Sequence, residues 1–212
     1  MTDTDAEANR PSERVHVDQV GYLPAAPKRA VVAVDAERFV VRDRDDGSVA
    51  YGAPLSKSVE DADAGETVRH ADFSPLSGPG EYRVAVGRGE SDDGDLLEVT
   101  AASVPFRVAP DVYDETLADA VRLYTLKRSN TAIDDPVTGL DVPPGHPQDA
   151  RAKTYFADGV RDEGESLDVS GGWYDAGDYG KYVPPAAVTV GQMLLAYERY
   201  PGAFGAGQCD LP

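Results

Sequence analysis

Two aspartates in a glycine-rich stretch are the residues of this sequence best suited to chemistry. Asp175 and Asp178 lie three positions apart, with Gly177 between them. Because glycine permits tight turns, a single turn can direct both carboxylates at one small volume. Two carboxylates beside one water molecule can orient that water and accept its proton. The spacing therefore favours a site that activates water.

Aromatic side chains flank the aspartate pair. Trp173, the only tryptophan, precedes it together with Tyr174, and Tyr179 follows directly. Such rings suit the apolar faces of sugar rings. In the alternative interpretation, the aspartates cap backbone N–H groups of a turn, and the tryptophan anchors a core. The residue types and their spacing leave both interpretations open.

The first half of the chain carries the signals of short β-strands. The tripeptide Asp45-Asp46-Gly47 lies between two strand-like segments and is typical of a β-hairpin. Gly78-Pro79-Gly80 predicts a second turn, and the acidic segment 91–95 predicts a hairpin loop. Strands are expected at residues 15–19, 29–34, 39–42, 48–51, 81–86 and 104–108. This pattern predicts a small antiparallel sandwich.

Helical signals begin at Pro110. Asp111 is expected to cap a helix running to about Arg128, because apolar side chains then recur at helical spacing. A long loop follows, and a second helix is expected to begin near Pro184 and to end before Pro201. The predicted organisation is therefore a disordered acidic segment at residues 1–14, a β-sandwich at residues 15–109 and a helical unit at residues 110–212. Since two helices cannot close a core, the chain is expected to end before this unit is complete.

Composition limits the classes of function. Asp and Glu total 38 against 20 for Lys and Arg, giving a net charge of −18, which disfavours nucleic-acid binding. The low lysine content and the abundance of aspartate favour a protein adapted to concentrated salt. No apolar stretch reaches the length of about 18 residues that a membrane helix needs. No export signal is visible, so the sequence by itself predicts a cytoplasmic protein.

Residues 168–183 resemble the signature of glycoside hydrolase family 9, in which Gly-Gly-Trp-(His/Tyr)-Asp-Ala-Gly-Asp carries an aspartate pair. Residues 17–24, followed by Lys28, resemble the opening strand of the immunoglobulin-like domain found in one subgroup. Residues 80–84 also fit that domain, and residues 126–129 resemble the end of the first barrel helix. The resemblance implies an immunoglobulin-like β-sandwich followed by the all-α start of an (α/α)6 barrel, incomplete in this chain.

The resemblance also implies hydrolysis of β-1,4-glucosidic bonds in cellulose or related β-glucans with inversion of configuration. Asp178 then matches the general base, and Asp175 matches the aspartate that helps to hold the attacking water. Trp173, Tyr174 and Tyr179 are weaker candidates for framing the sugar. The family's general acid is a glutamate beyond residue 212, so this chain alone is expected to be inactive. A non-catalytic carbohydrate-binding or scaffold module is the alternative.

No cofactor is expected within these residues. Some family members hold a structural zinc in this region, but here the corresponding positions are Ser129, a shortened loop around His146, and Tyr174. These residues are a poor ligand set for zinc. Calcium is an expectation only for later parts of the barrel. The implied partner is a polysaccharide or oligosaccharide, and the resemblance allows for secretion if the true start of the protein differs.

Overall fold

The computed structural model describes Ser12 and residues 14–205, and the chain divides into two compact units, Met1–Asp114 and Glu115–Pro212. Most of the segment predicted to be disordered lies outside the described residues. Two residues of that segment, Ser12 and Arg14, are described, and both are bonded to the first unit. The Ser12 N–H donates to the Ala102 carbonyl at 2.8 Å, and the Arg14 Nε donates to the Ala33 carbonyl at 2.8 Å.

The first unit contains two antiparallel sheets. One has the strand order β1-β2-β6-β5, and the other has the order β4-β3-β7-β8, with β9 also pairing with β7. The strands are β1 (Val15–His16), β2 (Arg29–Val32), β3 (Arg38–Asp43), β4 (Val49–Pro54), β5 (Val59–Asp61), β6 (Glu66–Asp72), β7 (Gly80–Arg88), β8 (Glu98–Ala102) and β9 (Phe106–Val108). The hairpin predicted around Asp45–Gly47 is the β3–β4 connection.

Side chains from both sheets form one core, which makes the unit a sandwich. Val32 and Ala71 contribute from the first sheet, and Phe39 and Val84 contribute from the second, all at most 1% exposed. Burying such side chains is the main favourable term in the stability of the unit. Aromatic rings fill the space between the strands in edge and tilted contacts, with centroids 5.2 to 6.2 Å apart: Tyr22, Phe39, Tyr51, Phe73, Tyr82 and Phe106. The predicted β-sandwich is confirmed.

The second unit contains α1 (Asp114–Leu126), apart from its first residue, and α2 (Val183–Arg199). Between them lie the hairpin of β10 (Ile133–Asp135) and β11 (Leu140–Val142), a 3-10 turn at Pro147–Arg151, and the short pair β12 (Ala152–Lys153) and β13 (Ser166–Leu167). Two helices with intervening loops agree with the predicted start of a helical barrel. Among the described residues, no helix is long and apolar enough to cross a membrane.

The first helix begins at Asp114, two residues later than an N-cap at Asp111 predicts. The carboxylate of Asp111, expected to cap it, accepts a hydrogen bond from Arg107 at 3.3 Å instead. The Asp111 carbonyl accepts the Asp114 N–H at 3.0 Å, so a turn precedes the helix. Because this turn separates Asp111 from the first helical residue, Asp114, the predicted N-cap at Asp111 is wrong.

A buried ion pair connects α1 to the loops that follow it. Arg122, on α1, is 5% exposed, and its guanidinium lies 2.6 Å from the carboxylate of Asp135 on β10. Thr138 donates to the same carboxylate from its hydroxyl at 2.6 Å and from its N–H at 3.2 Å. These bonds from Thr138, followed by the charge of Arg122, lower the pKa of Asp135. The carboxylate therefore stays ionised and holds the hairpin against the helix.

Candidate active site

Residues 173–182, which we name the aspartate loop, are attached to the end of α1. Trp173 forms an antiparallel bridge with Arg128, and the indole N–H of Trp173 donates to the Tyr124 carbonyl at 2.8 Å. The Tyr174 N–H donates to the Lys127 carbonyl at 2.9 Å. The loop therefore leaves the helix end in a fixed direction.

Backbone hydrogen bonds close the aspartate loop on itself. The Asp175 N–H donates to the Gly180 carbonyl at 2.9 Å, and the Tyr179 N–H donates to the Ala176 carbonyl at 3.2 Å. Tyr179 has a φ of 57°, in the left-handed region that few residues other than glycine adopt. A tyrosine in this conformation indicates that the surrounding bonds determine the turn.

The two aspartates have different surroundings, although both are exposed. Asp178 accepts the Gly180 N–H at 2.9 Å on one oxygen and the Tyr182 hydroxyl at 3.4 Å on the other. Among the described residues, the carboxylate of Asp175 has no hydrogen bond or ion pair. Lys127 donates instead to the Asp175 carbonyl at 2.9 Å. Because each carboxylate oxygen can accept more than one bond, both side chains retain acceptor capacity for water.

The structure agrees in part with both interpretations of the aspartate pair, as caps of a turn and as a site that activates water. The bond from Gly180 to Asp178 is the local capping contact that the first one requires. Asp175 makes no such contact among the described residues, and both carboxylates reach solvent. The arrangement can therefore serve as a turn and still leave both carboxylates open to solvent.

The three aromatic candidates lie in two settings. Trp173 is half-buried, and its only polar atom is bonded to α1, which is the arrangement of an anchor. Tyr174 and Tyr179 pack edge to face with ring centroids 5.0 Å apart, and Tyr179 is 59% exposed. Tyr179 is thus the aromatic candidate with most surface available to a ligand.

Sequence reasoning missed the contributions of Lys127, Lys181 and Tyr182. Each bonds to the loop or to its flanks, at the Asp175 carbonyl, the Gly171 carbonyl and the Asp178 carboxylate respectively. The one signal in the sequence was the rarity of lysine. The chain has only five lysines, and two of them, Lys127 and Lys181, lie here.

A turn at the start of the signature fixes the approach to the loop. The Ser170 N–H donates to the carboxylate of Asp168 at 2.9 Å. Bonds from the side chain and then the backbone of Ser170, with the charge of Lys181, lower the pKa of Asp168. Asp168 is therefore an ionised structural residue.

The positions at which the resemblance implies a structural zinc in some family members carry side chains that fit this metal poorly. The Ser129 hydroxyl bonds to the side chain of Asn130 at 3.1 Å, and the rings of His146 and Tyr174 lie 5.5 Å apart. A Cβ atom placed on Gly145 would lie 2.2 Å from the Tyr174 hydroxyl, so the phenol fills this space. Zinc prefers thiolate and imidazole ligands, and one imidazole beside two hydroxyl groups is inadequate. Across the described residues, no group of three or more His, Cys, Asp or Glu side chains could hold a metal ion.

Comparison with known proteins gives matches over both units. Residues 10–91 match the family described as cellulase N-terminal ig-like domain, and residues 113–210 match glycosyl hydrolase family 9. Endoglucanase C of Cellulomonas fimi is 37% identical over 218 residues, which cover 93% of this chain and 18% of that protein. Endoglucanase D of Acetivibrio thermocellus is 33% identical over 202 residues, covering 94% of this chain and 29% of that protein.

A solved structure shows the same similarity. The crystal structure of the family 9 endoglucanase J30 matches with a TM-score of 0.73 and 49% identity, over 84% of this chain and 31% of that chain. An immunoglobulin-like sandwich followed by the first helices of a barrel defines the chain as cellulase-like in architecture. The chain belongs to glycoside hydrolase family 9, in the group with an N-terminal immunoglobulin-like domain. It spans less than a third of the length of these relatives.

Proposed function

We propose that the protein containing this chain hydrolyses β-1,4-glucosidic bonds in cellulose or a related β-glucan with inversion of configuration. The observation that carries the proposal is the exposed pair Asp175 and Asp178 on a loop attached to α1, within a region that matches family 9. Relatives named endoglucanases support the bond type.

In this mechanism Asp178 accepts a proton from water while the water oxygen attacks the anomeric carbon. Asp175 holds the same water, and a protonated carboxylic acid on the other side of the bond donates to the leaving oxygen. Inverting enzymes separate the base and the acid by about 6.5 to 9.5 Å to leave room for the water. The family resemblance assigns the acid to a glutamate outside residues 1–212, so this chain alone is expected to give no turnover.

Tyr179 and Tyr174 are proposed to contact the sugar beside the cleaved bond. The exposed ring of Tyr179 offers an apolar face, and its edge contact with Tyr174 limits its motion. Trp173 is assigned to holding the loop, because its indole N–H is bonded within the unit. A polymeric substrate of this kind is met outside the cell, so the proposal also implies secretion.

The proposal is tested by the anomeric form of the first product. The complete protein that the gene encodes is incubated with a soluble β-1,4-glucan, and the new reducing ends are followed by proton NMR before mutarotation. A single displacement by water predicts that the α-anomer appears first. An initial β-anomer would contradict inversion, and binding without turnover would favour a carbohydrate-binding module.

A further inference from the structure

The ammonium group of Lys181 lies among four oxygen atoms beside the aspartate loop. Its nitrogen is 2.6 Å from the carboxylate of Asp149, 2.8 Å from the Val169 carbonyl and 2.9 Å from the Gly171 carbonyl. The side-chain oxygen of Asn130 is 3.3 Å away. The hydrogen bonds to Val169, Gly171 and Asn130 use the three N–H donors of the ammonium, and the carboxylate of Asp149 pairs with its charge. The lysine side chain is only 19% exposed.

The four acceptors are also joined to one another. The side chain of Asn130 accepts the Gly171 N–H at 2.7 Å and donates to the His146 carbonyl at 2.7 Å. The Asp149 carbonyl accepts the Val169 N–H at 2.9 Å. Three segments that are separate in sequence therefore meet at one cation.

Lys181 also fixes the end of the aspartate loop. Gly180, the preceding residue, accepts the Asp175 N–H and donates to the Asp178 carboxylate, each at 2.9 Å. At the other end of the loop, Trp173 is held by α1. The loop is thus attached at both ends, and its second end is held by the ammonium of Lys181 as well as by its continuation into α2.

We propose that Lys181 is a positioning residue, whose ammonium holds the aspartate loop in the conformation that presents Asp175 and Asp178 to the attacking water. The inference rests on the proposed hydrolytic function and deepens it. A neutral side chain at position 181 leaves the carboxylate of Asp149 without this counter-charge and two carbonyls without this donor. An arginine has a planar fork, which cannot place one nitrogen among four oxygens.

The test uses Lys181→Ala in the complete protein, with kcat and KM measured on a soluble β-1,4-glucan. Misplacement of catalytic groups predicts a fall in kcat of about 100-fold with KM nearly unchanged. Propylammonium matches the atoms that the substitution removes, so it is expected to restore part of kcat. Tetramethylammonium has no N–H donor and is expected to restore none. Lys153→Ala, which removes an exposed lysine of the same unit, is the matched control.

A second readout does not depend on activity. In Lys181→Ala, amide hydrogen exchange at Asp175 and Gly180 is expected to accelerate, and propylammonium is expected to slow it again. If the wild-type protein cleaves no β-glucan, the proposed function fails, and exchange alone decides the role of Lys181. Should Lys181→Ala not fold, Asp149→Asn serves instead, with a smaller loss of kcat that propylammonium does not restore. Unchanged exchange, or a loss of kcat that propylammonium and tetramethylammonium restore equally, would overturn the inference.

Discussion

Lysine is rare in this protein, and most of its lysines bind backbone carbonyls. The chain has five, and three of them, Lys28, Lys127 and Lys181, donate to main-chain oxygens. Lys28 is completely buried in the sandwich, where its ammonium lies 2.7 Å from the carbonyls of Pro24 and Ala26. Burial lowers the pKa of Lys28 because it disfavours the charged form. At these positions lysine is a structural cation, and at Lys28 it is an internal one.

Replacement of Lys28 by methionine is expected to destabilise the sandwich by about 3 kcal/mol, since buried carbonyls lose their donor. Urea denaturation followed by circular dichroism measures the change. Lys57→Met is the control, because Lys57 is an exposed lysine of the same unit. Equal stability of the two variants would show that the bonds of Lys28 contribute nothing.

At the residue scale, sequence reasoning could find the aspartate pair but not its supports. The spacing of Asp175 and Asp178 around Gly177 predicts a single turn, and the structure places both on one loop. The partners of Lys181 are 51 and 32 residues away at Asn130 and Asp149. Contacts over such distances depend on the fold and leave no local pattern.

At the element scale, the strands of the sandwich with regular apolar alternation were predictable, whereas β5, β6 and β8 were not. The strand β6 has few apolar side chains, among which Val68 and Ala71 are buried. It nevertheless lies inside its sheet, paired with β2 on one side and β5 on the other. The strand β8 carries small and charged residues and is formed by pairing with β7. Such segments become strands because their backbones pair with neighbouring strands. That pairing leaves no pattern in a single sequence.

The pairing of β7 with β8 imposes a requirement for glycine at position 87. The register shifts between Val86 and Gly87, and the Glu98 carbonyl approaches closely there. A Cβ atom on Gly87 would lie 1.8 Å from that oxygen, so the backbones must separate to admit it. The absence of a side chain is what permits this approach.

Gly87→Ala is therefore expected to destabilise the sandwich by about 1 to 3 kcal/mol, as overpacking does. The measurement is the urea midpoint of the first unit. The neighbouring substitution Arg88→Ala removes only an exposed ion pair with Asp35, which is expected to contribute less than about 1 kcal/mol. A midpoint for Gly87→Ala equal to that of the wild type would contradict the close approach.

At the scale of the whole molecule, a net charge of −18 is accompanied by aspartates that the fold keeps ionised. In each of these aspartates the pKa of the carboxyl is lowered mainly by hydrogen bonds from Ser or Thr side chains or from backbone N–H groups. The aspartates whose pKa is lowered are Asp46, Asp72, Asp93, Asp135, Asp158 and Asp168. Adaptation to concentrated salt remains a prediction from composition.

These shifts predict the direction of the pH dependence. A carboxyl whose pKa is lower in the folded state than in the unfolded state binds fewer protons when folded, so acid favours unfolding. The stabilisation is present above pH 3.8, the ordinary pKa of an aspartate carboxyl. It is lost as the pH falls below that value and through the lower pKa of the folded state. Urea denaturation at about pH 7 and about pH 3 should show a lower free energy of unfolding in acid. The Asp168→Asn variant should lose less than the wild type, and equal stability at both pH values would contradict the account.

The central claim is that Asp178 takes a proton from the water that attacks the glycosidic carbon. The most direct measurement is kcat of the Asp178→Asn variant of the complete protein on a soluble β-1,4-glucan. Asp141→Asn, at an exposed aspartate on β11, is measured beside it as the control. Loss of a general base predicts that kcat falls by about 100-fold to 10,000-fold while the control keeps the wild-type rate. A wild-type kcat in Asp178→Asn would contradict the claim.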